Sequence, residues 1–165
     1  MAHLFGAKLR YLRLERDLSQ AELARQLGNL GRAHINNVEV DRRPPSLLFV
    51  LRAATLFQVP TDYLLRDIIP TEEAAAHGSA PPTTQITLPA LFGAKLRHLR
   101  GQHGLSQAEL ARRLGLAAHA HISLLERGHH EPSIDLVVAI ADHFGVSTDY
   151  LLWDSIPIQQ DLSRS

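Results

Sequence analysis

The chain has 165 residues, with 17 Lys and Arg balanced by 17 Asp and Glu, 10 His and no Cys. A zero net charge speaks against a polybasic nucleic-acid coat or a membrane-surface protein, and the lack of Cys excludes disulfides and thiolate-ligated zinc. With 45% hydrophobic but only 5% aromatic residues, any core must be built mainly from Leu, Ala, Val and Ile. No apolar run approaches the ~18 residues of a membrane span. The start, Met1 to Lys8, lacks the apolar segment of a secretory signal. A soluble, cytoplasmic protein is expected.

One unit is written twice. A shift of 87 places aligns residues 3–70 with 90–157 without a gap and gives 37 identities in 68 pairs. Leu4 to Arg10 (LFGAKLR) returns as Leu91 to Arg97, Leu18 to Arg25 (LSQAELAR) as Leu105 to Arg112, and Thr61 to Leu65 (TDYLL) as Thr148 to Leu152. The 19 residues between the copies, rich in Ala, Pro, Thr, Gly and Ser, read as a linker. The expected organisation is a first domain over 1–70, a linker over 71–89, a second domain over 90–157 and a tail over 158–165.

Each unit reads as about five short helices. Phe5, Leu9 and Leu12 form the apolar stripe of a first helix, as do Phe92, Leu96 and Leu99. Ser19 with Glu22, and Ser106 with Glu109, are capping boxes that open a second helix. Gly28 ends that helix in unit one with a left-handed residue. Ile35 and Val38, matched by Ile122 and Leu125, mark a third helix. Pro45-Ser46 and Pro132-Ser133 open a fourth, Leu47 to Phe57 and Ile134 to Phe144, and Thr61 and Thr148 are candidate caps of a fifth. No segment shows sustained period-2 alternation, so the fold class is all-α.

Two short helices joined by a tight turn after Gly, within ~70 residues, form a helix-turn-helix. The run Leu105-Ser106-Gln107-Ala108-Glu109-Leu110-Ala111, followed by Leu114-Gly115, Ile122-Ser123, Glu126-Arg127-Gly128 and Pro132-Ser133, resembles the phage Cro/C1-repressor (Xre-type) helix-turn-helix family. The resemblance covers both repeats. It implies two tandem five-helix, lambda-repressor-like DNA-binding domains whose third helices enter the major groove of double-stranded DNA.

The residues carry their own argument. With Ile35 and Val38 turned to the core, Arg32, Ala33, Asn36 and Asn37 form the opposite face of the third helix. Arg forks onto guanine and Asn pairs bidentately with adenine, so this face holds the donors that base reading needs. The family pattern places these four residues at base-reading sites. It also places Gln20, at the start of the second helix, on a phosphate, where a helix N-terminus favours an anion. Arg42 and Arg43 follow the recognition helix as backbone contacts. The same mapping in unit two gives Gln107, His119, Ala120, Ser123, Leu124, Arg127, His129 and His130. Leu124 cannot hydrogen-bond but can touch a thymine methyl. Residues 3–70 hold 10 Lys and Arg against 7 Asp and Glu, net +3; residues 90–157 hold 6 against 7, net −1. Unit one is therefore expected to carry most of the affinity.

Both units depart from the family in one respect. Six residues separate Gly28 from Ile35, and Gly115 from Ile122, where the family usually has five, so the family's polar cap position falls on Leu30 and Ala117. Unit one also has Val40-Asp41 where unit two has Arg127-Gly128. His34 and His121 occupy equivalent positions and are expected to share one role. No metal site is expected: His119 and His121 point about 200° apart on a helix, and His129-His130 lacks partner ligands at a suitable spacing. No nucleophile, phosphate-loop or cofactor motif is present, so neither catalysis nor a cofactor is expected. The reading is a transcriptional regulator, repression being its simplest mode, associated with the nucleoid through DNA. The rival is a scaffold or antitoxin-like protein whose second unit serves dimerisation or partner contact. Ile68-Ile69-Pro70 and Ile156-Pro157-Ile158 are candidate apolar patches for a homodimer.

Overall fold

A computed structural model describes residues 4–67 and 86–158. The chain divides into two compact units, 1–88 and 89–165. All regular structure among the described residues is helical. Unit one contains α1 (Phe5–Glu15), α2 (Gln20–Gln26), α3 (Arg32–Glu39), α4 (Leu47–Phe57) and α5 (Thr61–Leu65). Unit two repeats the order as α6 (Phe92–Gln102), α7 (Gln107–Arg113), α8 (His119–Glu126), α9 (Ile134–Phe144) and α10 (Thr148–Leu152). No helix among them is long and apolar enough to cross a membrane. Ile68-Ile69-Pro70, most of the 71–89 segment and residues 159–165 lie outside the described residues. Ile156 and Ile158 are half-buried.

In unit one the apolar stripe of α1 faces inward, with Phe5, Leu9 and Leu12 buried and the Phe5 ring 6.1 Å from that of Phe49 in α4, a helix apolar along most of its length. Leu23, Ala24 and Leu27 of the second helix and Ile35 and Val38 of the third complete the core. Unit two buries the counterparts Phe92, Leu96, Leu99, Leu110, Ala111, Ile122 and Leu125. Both expected capping boxes are formed: the Ser19 and Ser106 hydroxyls accept from the Glu22 and Glu109 amides, and each Glu carboxylate accepts from its Ser amide. The Ser46 and Ser133 hydroxyls cap α4 and α9 by accepting from the Phe49 and Leu136 amides, without a returning carboxylate. The fifth helices differ from expectation. Their caps are Pro60 and Ser147, one residue earlier. Thr61 and Thr148 are instead the first helical residues and are fully buried; the extended backbone that a cap requires belongs to the residue before them.

The first and fifth helices of each unit are tied together by a buried lysine. Lys8 Nζ donates to the carbonyls of Tyr63 and Arg66, and Lys95 Nζ to those of Tyr150 and Trp153, both at 2.7 Å. A cation thereby satisfies carbonyls left open at a helix C-terminus. Burial lowers the pKa of both lysines, with Asp67 and Asp154 opposing the shift. Those carboxylates also accept from the amides at the start of the first helix, Asp67 from Leu4, and Asp154 from Ala90 and Leu91. Replacing Lys95 by Met keeps the aliphatic stem but leaves two buried carbonyls without this donor. Unit two is expected to lose about 2–4 kcal/mol. Trp153, the single tryptophan of the chain and buried at the end of α10, reports this directly as a lowered denaturation midpoint in fluorescence.

Candidate nucleic-acid interface

The third helix of each unit is seated by backbone contact and by charge. Gly6 lies against the C-terminal turn of α3, where an added Cβ would stand 2.5 Å from the Val38 carbonyl oxygen. Gly93 stands in the same relation to Leu125 and Glu126 of α8. A glycine is what this approach of α1 to α3, and of α6 to α8, requires. The Arg13 guanidinium grips the Glu39 carboxylate in a fork, 2.6 and 3.1 Å, and also donates to the Leu18 carbonyl. Gln20 Nε2 donates to the same carboxylate at 2.9 Å and reaches Asn36 Oδ1 at 3.4 Å. One carboxylate thus joins α1, α2 and α3.

Unit two repeats the arrangement with Arg100, Glu126 and Gln107. Burial alone would raise the Glu126 pKa, but hydrogen bonds from Arg100 and Gln107 and the charge of Arg100 hold it below the usual carboxylate range. The bond to Glu126 raises the Arg100 pKa in turn. These Arg–Glu pairs were not among the residues singled out from sequence. Their signal was there: Arg13 and Glu39, 26 residues apart, recur unchanged as Arg100 and Glu126.

With Ile35 and Val38 buried, Arg32 and Ala33 are exposed and Asn36 and Asn37 half-buried, on one face of α3. Arg42 and Arg43 are exposed, and their amides both donate to the Asn37 carbonyl, which fixes the basic pair to the end of α3. Gln20 is drawn inward onto Glu39, so it both braces α3 and stands at the start of α2. In unit two His119, Ala120, Arg127, His129 and His130 are exposed, and Ser123 and Leu124 half-buried. The Arg127 guanidinium folds back onto its own helix, donating to the Ser123 hydroxyl and to the Ser123 carbonyl. His129 N donates to the Leu124 carbonyl. Asp41 takes the left-handed conformation that Gly128 takes in unit two, with φ of 55° and 71°, so the loop keeps its path in spite of the substitution.

The starts of α3 and α8 differ from the family-based expectation. The caps are Gly31 and Ala118, one residue beyond Leu30 and Ala117, and neither provides a side-chain bond. The turns also differ from each other. Leu30 N returns to the Ala24 carbonyl after two positive-φ residues, Gly28 and Asn29; in unit two Leu116, one position earlier, returns to the matching Ala111 carbonyl after Gly115 alone. The two equivalent histidines do not share one partner. His34 packs against Phe49, with centroids 5.6 Å apart, whereas His121 meets the edge of His130 at 5.8 Å; Leu136 stands in unit two where unit one has Phe49. Among the described residues no three His, Asp or Glu lie together as a metal site.

A profile of the helix-turn-helix family matches residues 9–64 and 96–151. The chain belongs to the helix-turn-helix family, of the Cro/C1 type. It is similar to an HTH-type transcriptional regulator of Methanocaldococcus jannaschii, itself uncharacterized, at 38% identity over 55 residues. That alignment covers 33% of this chain and 82% of the relative. No solved structure matches the chain. The matched stretches contain α2–α3 and α7–α8 whole, so this helix-turn-helix regulator carries the family's DNA-binding pair of helices twice.

Proposed function

We propose that the chain is a sequence-specific repressor that places α3 in the major groove, with unit one supplying most of the affinity. The observation that carries this reading is the outward face of α3. Its Arg32 provides a forked donor, and Asn36 and Asn37 provide amides that donate through Nδ2 and accept through Oδ1, on a helix held from behind by the Arg13–Glu39–Gln20 cluster. Arg42 and Arg43 then act as phosphate contacts. Unit two, at net −1, adds a weaker contact through His119, Ala120, Ser123, Leu124, Arg127, His129 and His130.

Taken as a flexible linker, the 19 residues 71–89 have an r.m.s. span of about 24 Å and a reach near 60 Å. Such a tether permits both units to occupy half-sites about 34 Å apart, the second at high effective concentration. Because the two faces differ, the preferred operator is asymmetric. Occlusion of a promoter by the bound pair is the simplest regulatory consequence.

The test is in vitro selection of the full chain against a random duplex pool, followed by titration of the winning duplex at several salt concentrations. Two unlike half-sites about one turn apart, with log affinity falling steeply against log salt, are expected. A palindrome of unit-one sites would move unit two to homodimerisation. An absence of enrichment at any salt would replace the whole reading with protein binding.

A further inference from the structure

The reading face of unit two is chemically unlike that of unit one, and the difference is specific. Ala33 and Asn37 lie four residues apart on α3; their counterparts on α8 are Ala120 and Leu124. Side chains at this spacing are neighbours, with Cβ atoms about 5–6 Å apart. Leu124 is half-exposed, unlike Ile122 and Leu125, which are buried in the core. Between the two aliphatic positions stands Ser123, whose oxygen already accepts from Arg127. The remaining hydroxyl proton can be given to an acceptor on any base pair, so Ser123 discriminates little. Apart from His119 at the start of α8, the part of this face able to tell one base from another is therefore the aliphatic pair, and it reads shape and apolarity instead of donors and acceptors.

In the major groove one base-edge group has that chemistry, the C5 methyl of a pyrimidine. We propose that unit two recognises a pyrimidine C5-methyl group, seated between Ala120 and Leu124. A methyl carbon placed in a notch of this width approaches the carbon–carbon optimum of ~3.5–4.0 Å with both side chains. The exchange of Asn37 in one repeat for Leu124 in the other thus converts an adenine-reading position into a methyl-reading one. Arg127, anchored through two of its N–H groups, keeps further N–H donors for the adjoining backbone. Thymine and 5-methylcytosine both offer the methyl, and they differ in the hydrogen-bonding edge beside it. This inference rests on the reading of unit two as a DNA contact.

The experiment uses the full chain and the duplex selected above. At each thymine of the unit-two half-site, deoxyuridine removes the methyl and nothing else. At the sensitive position, cytosine and 5-methylcytosine, each paired with guanine, then separate the methyl from the base. One thymine is expected to show a loss of about threefold to fourfold on conversion to deoxyuridine. A similar gain is expected from cytosine to 5-methylcytosine. Leu124→Asn, a change at a half-exposed position, should abolish both differences while Trp153 fluorescence reports an unchanged fold. Equal binding of thymine and deoxyuridine throughout the half-site overturns the methyl site and leaves DNA binding by unit two intact. A selection that returns no unit-two half-site overturns both.

Discussion

Arg32→Ala combined with Asn37→Ala is expected to weaken binding to the selected duplex by roughly a hundredfold to ten-thousandfold, measured by fluorescence anisotropy at fixed salt. Each forked or bidentate base contact carries about 1–3 kcal/mol of discrimination, and the two residues lie at opposite ends of the outward face of α3. Neither is part of the core, which Ile35 and Val38 occupy, so helix content should be retained in circular dichroism. The matching pair in unit two, His119→Ala with Ser123→Ala, is expected to cost less than tenfold. Ser123 is held by Arg127, and His119 sits on a unit of net −1. Equal losses from the two pairs would reject the dominance of unit one.

The second large effect is on stability. Glu126→Ala is expected to destabilise unit two by about 3–5 kcal/mol, because it strands the Arg100 guanidinium in a mostly buried position without its forked partner. Gln107 loses its acceptor at the same time. Trp153 fluorescence in urea should show the midpoint fall for this unit. The pH dependence has a definite sign. The Glu126 pKa lies below the ordinary glutamate value, so the folded state binds this proton less readily than the unfolded one. Its contribution is complete above that value and is lost as pH falls from there through the folded pKa. Wild-type unit two should therefore lose stability in that acid window more steeply than Glu126→Ala, whose profile lacks this component.

The sequence was most legible where the chain speaks locally. Capping boxes at Ser19 and Ser106 opened α2 and α7 as read, because a cap is a contact between residues three apart. The 3.6-residue stripes of α1 and α6 located the core, and the 87-residue repeat set the number of units. The fifth-helix caps failed because Thr61 and Thr148 are cap-type residues in type only; position, which depends on how the preceding loop arrives, put Pro60 and Ser147 there instead. The start of α3 and α8 escaped by one residue for a related reason: a turn lacking a polar cap is shaped by backbone returns to Ala24 and Ala111 that no side-chain pattern announces. The Arg13–Glu39 and Arg100–Glu126 forks span 26 residues, beyond the reach of any local rule.

The junction of the first and fifth helices has a consequence for how such a protein is assembled. In unit one the amide of Leu4 bonds to the carboxylate of Asp67 at 3.0 Å, and in unit two those of Ala90 and Leu91 bond to Asp154. The chain therefore leaves each unit beside the point where it came in. A fold with its doorway and its exit side by side can be copied head to tail without threading a strand or helix across its own body. Each copy closes on itself, so the residues that face outward are free to drift apart while the lysine clamp and the arginine fork stay fixed.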